Sequence, residues 1–241
     1  MSANLLELAG VHTHIGAYHI LHGVDMAVPR GAVTLLLGRN GAGKTTTLRT
    51  IMGLWQASQG SIRFAGQDIT RLNTPRIAQL NIAYVPENMG IFADLTVQEN
   101  LLLAARGARN AAAMDAERLR WIFGMFPAVE KFWHHPAGKL SGGQKQMVAV
   151  ARAIVEPRDL LIVDEPSKGL APAIINNMIA AFDQLKQSGV TILLVEQNLN
   201  FARRLGDSVA VMDNGRVVHA GAMAALAQDE ALQRSLLGLA L

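Results

Sequence analysis

A chain of 241 residues, half of them hydrophobic and 17% charged, holds enough apolar material for one large domain with a sizeable core and is not the composition of a disordered chain. Its net charge of +3 comes without any run of clustered Lys and Arg, so the basic stripe of a nucleic-acid binder is missing and no nucleic-acid partner is expected. The lack of cysteine excludes disulfides, thiolate-bound zinc and thiol catalysis; the start MSANLLELAG carries no leader pattern, and no apolar run reaches the roughly 18–20 residues that span a bilayer.

In chain order, Leu5–Leu8 and Ile20–Val28 read as strands, the second stopped by Pro29-Arg30-Gly31. Val33–Leu37 is short, apolar and followed by glycine, as a buried parallel strand is, and it leads through a Gly-rich loop into a helix over Thr45–Met52. Ser61–Phe64 and Gln67–Ile69 suggest a hairpin around Ala65-Gly66, and Thr74-Pro75 a cap and first-turn pair opening a short helix. From about Glu87 to Val155 the pattern turns helical: Thr96 and Glu99 form a capping box before Leu101–Arg106, Ala111–Phe126 has helical spacing, and Ser141 with Gln144 caps a helix running to Val155. Alternation then returns, with strand Leu160–Val163, helix Pro172–Gln187 stopped at Gly189, and strand Val190–Val195. Val209–Met212 and Arg216–His219 flank an Asp213-Asn214-Gly215 turn, and the last twenty residues suggest an amphipathic helix. The expected architecture is an α/β sheet core interrupted by a helical lobe.

The strongest local signal is Gly38-Arg39-Asn40-Gly41-Ala42-Gly43-Lys44-Thr45, a G-x-x-x-x-G-K-[ST] loop between a strand and a helix. Glycines let successive backbone N–H groups curl inward around phosphate oxygens, and the helix that follows aims its positive end at the same anion. Lys44 offers a mobile charge to the β- and γ-phosphates, Thr45 offers a hydroxyl to Mg²⁺, and Thr46 completes the expected nucleotide contacts. Leu160-Leu161-Ile162-Val163-Asp164-Glu165 is an apolar strand ending in paired acids, which need a charge partner. Mg²⁺ suits Asp164, and Glu165 is placed to orient or deprotonate an attacking water. An Asp-Glu-Pro sequence is also an ordinary way to leave a strand; the phosphate loop in the same chain favours the catalytic reading. Leu140-Ser141-Gly142-Gly143-Gln144 reads as a capped helix start, yet two glycines in a first turn cost roughly 1 kcal/mol each against alanine. Their bare amides suit close approach by a further phosphate.

These motifs, in this order and spacing, resemble the ATPase subunit of ABC transporters across essentially the whole chain. The resemblance implies a P-loop NTPase (ABC ATPase) α/β core over residues 1–241, with an antiparallel β subdomain and an α-helical subdomain inserted at about 87–155. It implies ATP and Mg²⁺ as ligands and a head-to-tail pair of ATPase subunits, in which Ser141, Gly142, Gly143 and Gln144 meet nucleotide held by the partner's phosphate loop. It also implies integral membrane permease subunits docked on the helical lobe, and hence a peripheral position on the cytoplasmic face of the membrane. Val85-Pro86-Glu87-Asn88, the Ser167–Pro172 run and the Leu194–Asn198 run resemble the branched-chain amino-acid importers; ATPases for urea or short amides look much alike.

Three positions depart from the family pattern. Glu87 stands where Gln usually senses Mg²⁺, and Gln197 stands where His usually contacts the γ-phosphate; its amide donates but does not shuttle protons. Ile15, with Tyr18 three residues on, occupies the place of the aromatic ring that stacks on adenine. The catalytic set is accordingly Glu165, Gln197 and Lys44, and the metal set Thr45, Asp164 and Glu87. An exporter or lipid-extraction ATPase is the alternative reading, and a soluble ABC ATPase acting on nucleic acid or ribosomes a more distant one. His12, His14, His19, His22, His134 and His135 lack accompanying acids and are read as structural or surface residues, and Trp55, Trp121 and Trp133 as packing.

Overall fold

The computed structural model describes residues 3–237. Asn4–Ile15 (β1) and Tyr18–Pro29 (β2) form a long antiparallel hairpin around Gly16-Ala17, extended well past Leu5–Leu8 by register shifts that absorb Gly10 and the histidines. Val33–Gly38 (β3) runs into Lys44–Ile51 (α1); then come Ala57–Phe64 (β4), Gln67–Asp68 (β5), Thr74–Ala78 (α2) and Ile82–Val85 (β6). The cap of α2 is Asn73, whose side chain accepts from the Arg76 amide, one residue before the expected Thr74.

Between β6 and the next strand of its sheet the chain builds Val97–Leu102 (α3), Ala116–Met125 (α4), Pro127–Lys131 (α5) and Gly142–Ala153 (α6). Thr96 and Glu99 close their capping box on α3, which ends at Leu102, short of the expected Arg106. The expected single helix over Ala111–Phe126 is divided. Asp115 accepts from the Glu117 and Arg118 amides and so starts α4 anew after a 3₁₀ turn at Ala111–Ala113; Pro127, which lacks an N–H, opens α5.

Leu160–Asp164 (β7), Pro172–Gln187 (α7), Thr191–Val195 (β8), Leu199–Leu205 (α8), Ser208–Asp213 (β9) and Arg216–Ala222 (β10) follow. The expected terminal amphipathic helix is two short ones, Met223–Gln228 (α9) and Glu230–Leu237 (α10), separated at Asp229; its last four positions, 238–241, lie outside the described residues.

Two sheets result. One, in the order β2-β1-β4-β5, is antiparallel; the other, β10-β9-β3-β8-β7-β6, is parallel except for β10 at its edge. The six residues of β3 are all buried, because the parallel sheet is covered on both faces. Strand alternation divides its side chains between two cores: Val33, Leu35, Leu37, Leu161 and Val163 pack with the helices, whereas Leu36, Leu160 and Ile162 pack with α1 and the antiparallel sheet. The helical core is anchored by Phe182 of α7, which meets Phe201 of α8 edge to face with ring centroids 6.1 Å apart. Phe182→Ala is expected to cost roughly 3–5 kcal/mol, as a cavity in a close-packed core does. A urea denaturation midpoint that stays put would contradict this.

Candidate functional site

Parallel pairing sets the level at which the strands end. Val85 pairs with Val163, Asp164 with Val195 and Leu36 with Val195, so β6, β7, β8 and β3 finish along one edge of the sheet. Open α/β sheets bind ligands at this carboxyl edge. Glu87, Asp164-Glu165, Gln197 and the Gly38–Thr45 loop all leave the sheet here.

The phosphate loop takes its shape from glycine. Gly38, Gly41 and Gly43 have φ of +149°, +84° and +103°, and a Cβ on Gly38 would come within 2.4 Å of the Met212 carbonyl oxygen. Gly43 is the N-cap of α1 and no side chain caps that helix. Lys44 is buried and its Nζ donates to the Gly38 carbonyl at 2.8 Å and the Arg39 carbonyl at 3.1 Å, with Glu165 Oε1 at 3.9 Å. Burial lowers its pKa, opposed by Glu165, Asp164 and Glu87. A cleft of about 380 Å³ over the loop is lined by Asn40–Thr46 together with Ile20, Glu87, Glu165 and Lys168.

Asp164 is 1% exposed, and neither of its carboxylate oxygens has a hydrogen-bond partner. Burial pushes its pKa up to about 6; the nearby Thr45 hydroxyl draws it back, while the charges of Glu165 and Glu87 raise it further. A buried carboxylate whose oxygens lack hydrogen-bond partners, with a threonine hydroxyl nearby, offers the hard oxygen donors a divalent cation takes, so these residues fit Mg²⁺.

Glu165 adopts φ +50°, a conformation uncommon for a residue with a side chain, and its amide donates to the Val195 carbonyl at 2.9 Å. Its Oε1 accepts from Gln197 Nε2, and the same amide group donates to Asn40 Oδ1 at 2.8 Å. Gln197 therefore ties the strand-end acid to the phosphate loop.

Sequence reasoning passed over Glu196. It is buried, and its carboxylate accepts from the Ser167 amide and hydroxyl at 3.0 and 2.9 Å and from the Gln197 and Asn198 amides at 3.1 and 3.2 Å. Burial raises its pKa against these hydrogen bonds. The only hint in the sequence was an acid directly after the apolar run Thr191–Val195.

Ser141–Gln144 do not line the cleft over the phosphate loop. Ser141 and Gln144 close a capping box on α6, and Gly143 has a packing reason of its own: a Cβ there would meet Ile174 Cγ2 of α7 at 2.8 Å. Gly142 faces open space. Ile15 pairs with Tyr18 at the end of the β1–β2 hairpin, and Tyr18 is 76% exposed. His12, His14, His19 and His22 gather on this hairpin: His12 Nδ1 lies 3.0 Å from His19 Nε2, and the His19 ring stacks on His14 with centroids 4.2 Å apart. Among the described residues no group of three or more His, Asp or Glu has the geometry to hold a metal ion.

The sequence profile of the ABC transporter family matches residues 21–168. The chain is 39% identical over 235 residues to the high-affinity branched-chain amino acid transport ATP-binding protein BraG of Pseudomonas aeruginosa, covering 97% of this chain and all of that protein. It is 36% identical to a probable branched-chain amino acid transport ATP-binding protein, LivF, of Archaeoglobus fulgidus, covering 92% and 93% of the two chains. The fold superposes on the crystal structure of an ADP-bound ATP-binding cassette of an ABC transporter with a TM-score of 0.81 at 26% identity, over 96% of this chain and 97% of that one.

Between pH 3.8 and about 6 the folded chain holds a proton on Asp164 that the unfolded chain has lost, so stability falls as pH rises through that window and stays lowered above it. In metal-free protein Asp164→Asn is expected to raise stability at pH 7 by up to roughly 3 kcal/mol, with the gain shrinking as pH approaches 4. Denaturant titrations at both pH values check this; a variant less stable than its parent at pH 7 would contradict it.

Proposed function

The chain belongs to the ABC transporter family, and from that membership and the geometry of the carboxyl edge we propose that it is the ATPase subunit of an importer for branched-chain amino acids or related small amino acids and amides. As an ABC ATPase it binds ATP and couples ATP hydrolysis to transport. The observation that carries the residue roles is that Lys44, Glu87 and Glu165 line one cleft over the glycine loop, with Gln197 bonded to Glu165 and buried Asp164 the residue before Glu165. The importer assignment is supported by the relatives' names and by the Val85–Asn88, Ser167–Pro172 and Leu194–Asn198 runs.

In this reading the loop Gly38–Thr46 wraps the phosphates, and Lys44 exchanges its carbonyl partners for phosphate oxygens. Thr45, Asp164 and Glu87 would hold Mg²⁺, which when bound offsets charge on the phosphates. Glu165, fixed by its left-handed backbone, orients the attacking water and accepts its proton as water adds to the terminal phosphorus and the bond to the ADP oxygen breaks. Gln197 holds Glu165 and Asn40 in register in the free chain and gives up one of these two N–H bonds to donate to the terminal phosphate. Ser141–Gln144, outside the cleft, serve the nucleotide of a second ATPase subunit.

No helix among the described residues is long and apolar enough to cross a membrane. The path across the membrane is assigned to permease subunits docked on the helical lobe, where Phe92 and Leu103 are 52% and 62% exposed. That docking places the chain peripherally on the cytoplasmic face of the membrane.

Glu165→Gln is expected to lower ATP turnover by about 10²–10⁴-fold while leaving ATP binding in place. Unchanged turnover in a phosphate-release assay would remove Glu165 from the mechanism. Affinity capture of the detergent-extracted complex is expected to bring down integral membrane permeases that receive a soluble binding protein; recovery with exporter subunits would overturn the importer assignment.

A further inference from the structure

The loop after Glu165 is built to project one lysine back over the cleft. Its Ser167 is fastened through both amide and hydroxyl to the buried carboxylate of Glu196. The Lys168 amide donates to the Glu165 carbonyl at 3.2 Å, the Leu170 amide to the Ser167 carbonyl at 3.2 Å, and Gly169 turns the chain at φ +70°. From this tight turn Lys168 Nζ donates to Glu87 Oε1 at 2.6 Å and stands 3.5 Å from Glu165 Oε2. Lys44 approaches the other oxygen of the same Glu165 carboxylate at 3.9 Å. Two ammonium groups thus flank one acid: Lys44, 5% exposed, from within the phosphate loop, and Lys168, 61% exposed, from the solvent side.

The two lysines differ in what holds them. Lys44 is fixed by burial and by two backbone carbonyls. Lys168 is held by an ion pair to a Glu87 side chain that is itself 46% exposed, and such pairs compete poorly with water. Lys168 also lines the cleft over the phosphate loop, where a terminal phosphate concentrates negative charge. If Glu87 turns to a metal ion, its hold on Lys168 loosens at the moment a stronger anion arrives. A diphosphate brings no such anion, and the Lys168 pair persists.

We propose that Lys168 is an exchangeable counter-ion: it neutralises Glu87 and Glu165 when no terminal phosphate is present and transfers to the terminal phosphate of a bound nucleoside triphosphate, so that the subunit prefers triphosphate to diphosphate. This rests on the ATP site proposed above. Lys168 is a binding residue in this scheme, and its contribution is to nucleotide choice.

Equilibrium titration of the full chain with Mg²⁺ and either ADP or a non-hydrolysable ATP analogue tests it. Lys168→Gln is expected to weaken the triphosphate analogue by about five- to tenfold while the ADP Kd stays within about twofold, and Lys168→Arg, which keeps the charge, is expected to restore most of the difference. An unchanged ratio of the two affinities in Lys168→Gln, whether both fall or neither does, would overturn the inference and leave the ATP site intact. Failure of the parent chain to bind either nucleotide would instead overturn the ATP site itself.

Discussion

Parallel pairing of β6, β7, β8 and β3 sets where every charged group of the site can stand. A strand buried on both faces gives its side chains no access to water, so ionisable residues are confined to the points where strands end. Because Val85, Val163, Val195 and Leu36 are tied into one register, those points fall at one level, and acids from two strand ends, with Gln197 from a third, meet a lysine from the loop after the fourth. A one-residue slip of β7 would invert its side chains between the two cores and carry Asp164 and Glu165 away from the loop. The hydrophobic core and the chemistry are therefore specified by the same hydrogen-bond ladder.

The arrangement trades stability for readiness. Asp164 sits buried with no hydrogen-bond partner, Glu165 holds a left-handed backbone, and Lys44 donates its hydrogen bonds to its own loop carbonyls, close to three acids. Each of these is unfavourable or unfinished in the free chain, and in the proposed function a polyphosphate with its cation would supply the partners that Asp164 and Lys44 lack. Surrounding them are the satisfied devices that secure the frame: capping boxes on α3 and α6, the Asn73 and Asp115 caps, and the aromatic contact between α7 and α8.

Features with local causes were legible in the sequence. The phosphate loop, the apolar run ending in Asp164-Glu165, both capping boxes and the Asn214-Gly215 turn each depend on residues a few positions apart. Features created by distant pairing were not. Ile82–Val85 is a four-residue strand whose sheet partner among the described residues is β7, some eighty positions on, and α8 follows Gln197 too closely to show a helical period of its own. The break at Asp115 was masked by alanines that suit a helix on either side of it. The histidine group on β1 and β2 depends on a register containing bulges, which no alternation in the sequence announces. Glu196 and Lys168 escaped notice for the same reason: the meaning of each lies in partners 29 and 81 positions away.

Glu196 gathers four donors from two loops, one leading from Glu165 and the other bearing Gln197. With both loops riveted to a single carboxylate, neither can shift alone without stranding buried donors, so a pull on Gln197 is felt at Ser167. The turn that carries Lys168 and the strand end that carries Gln197 thereby keep a fixed spacing, as two beams do on one rivet.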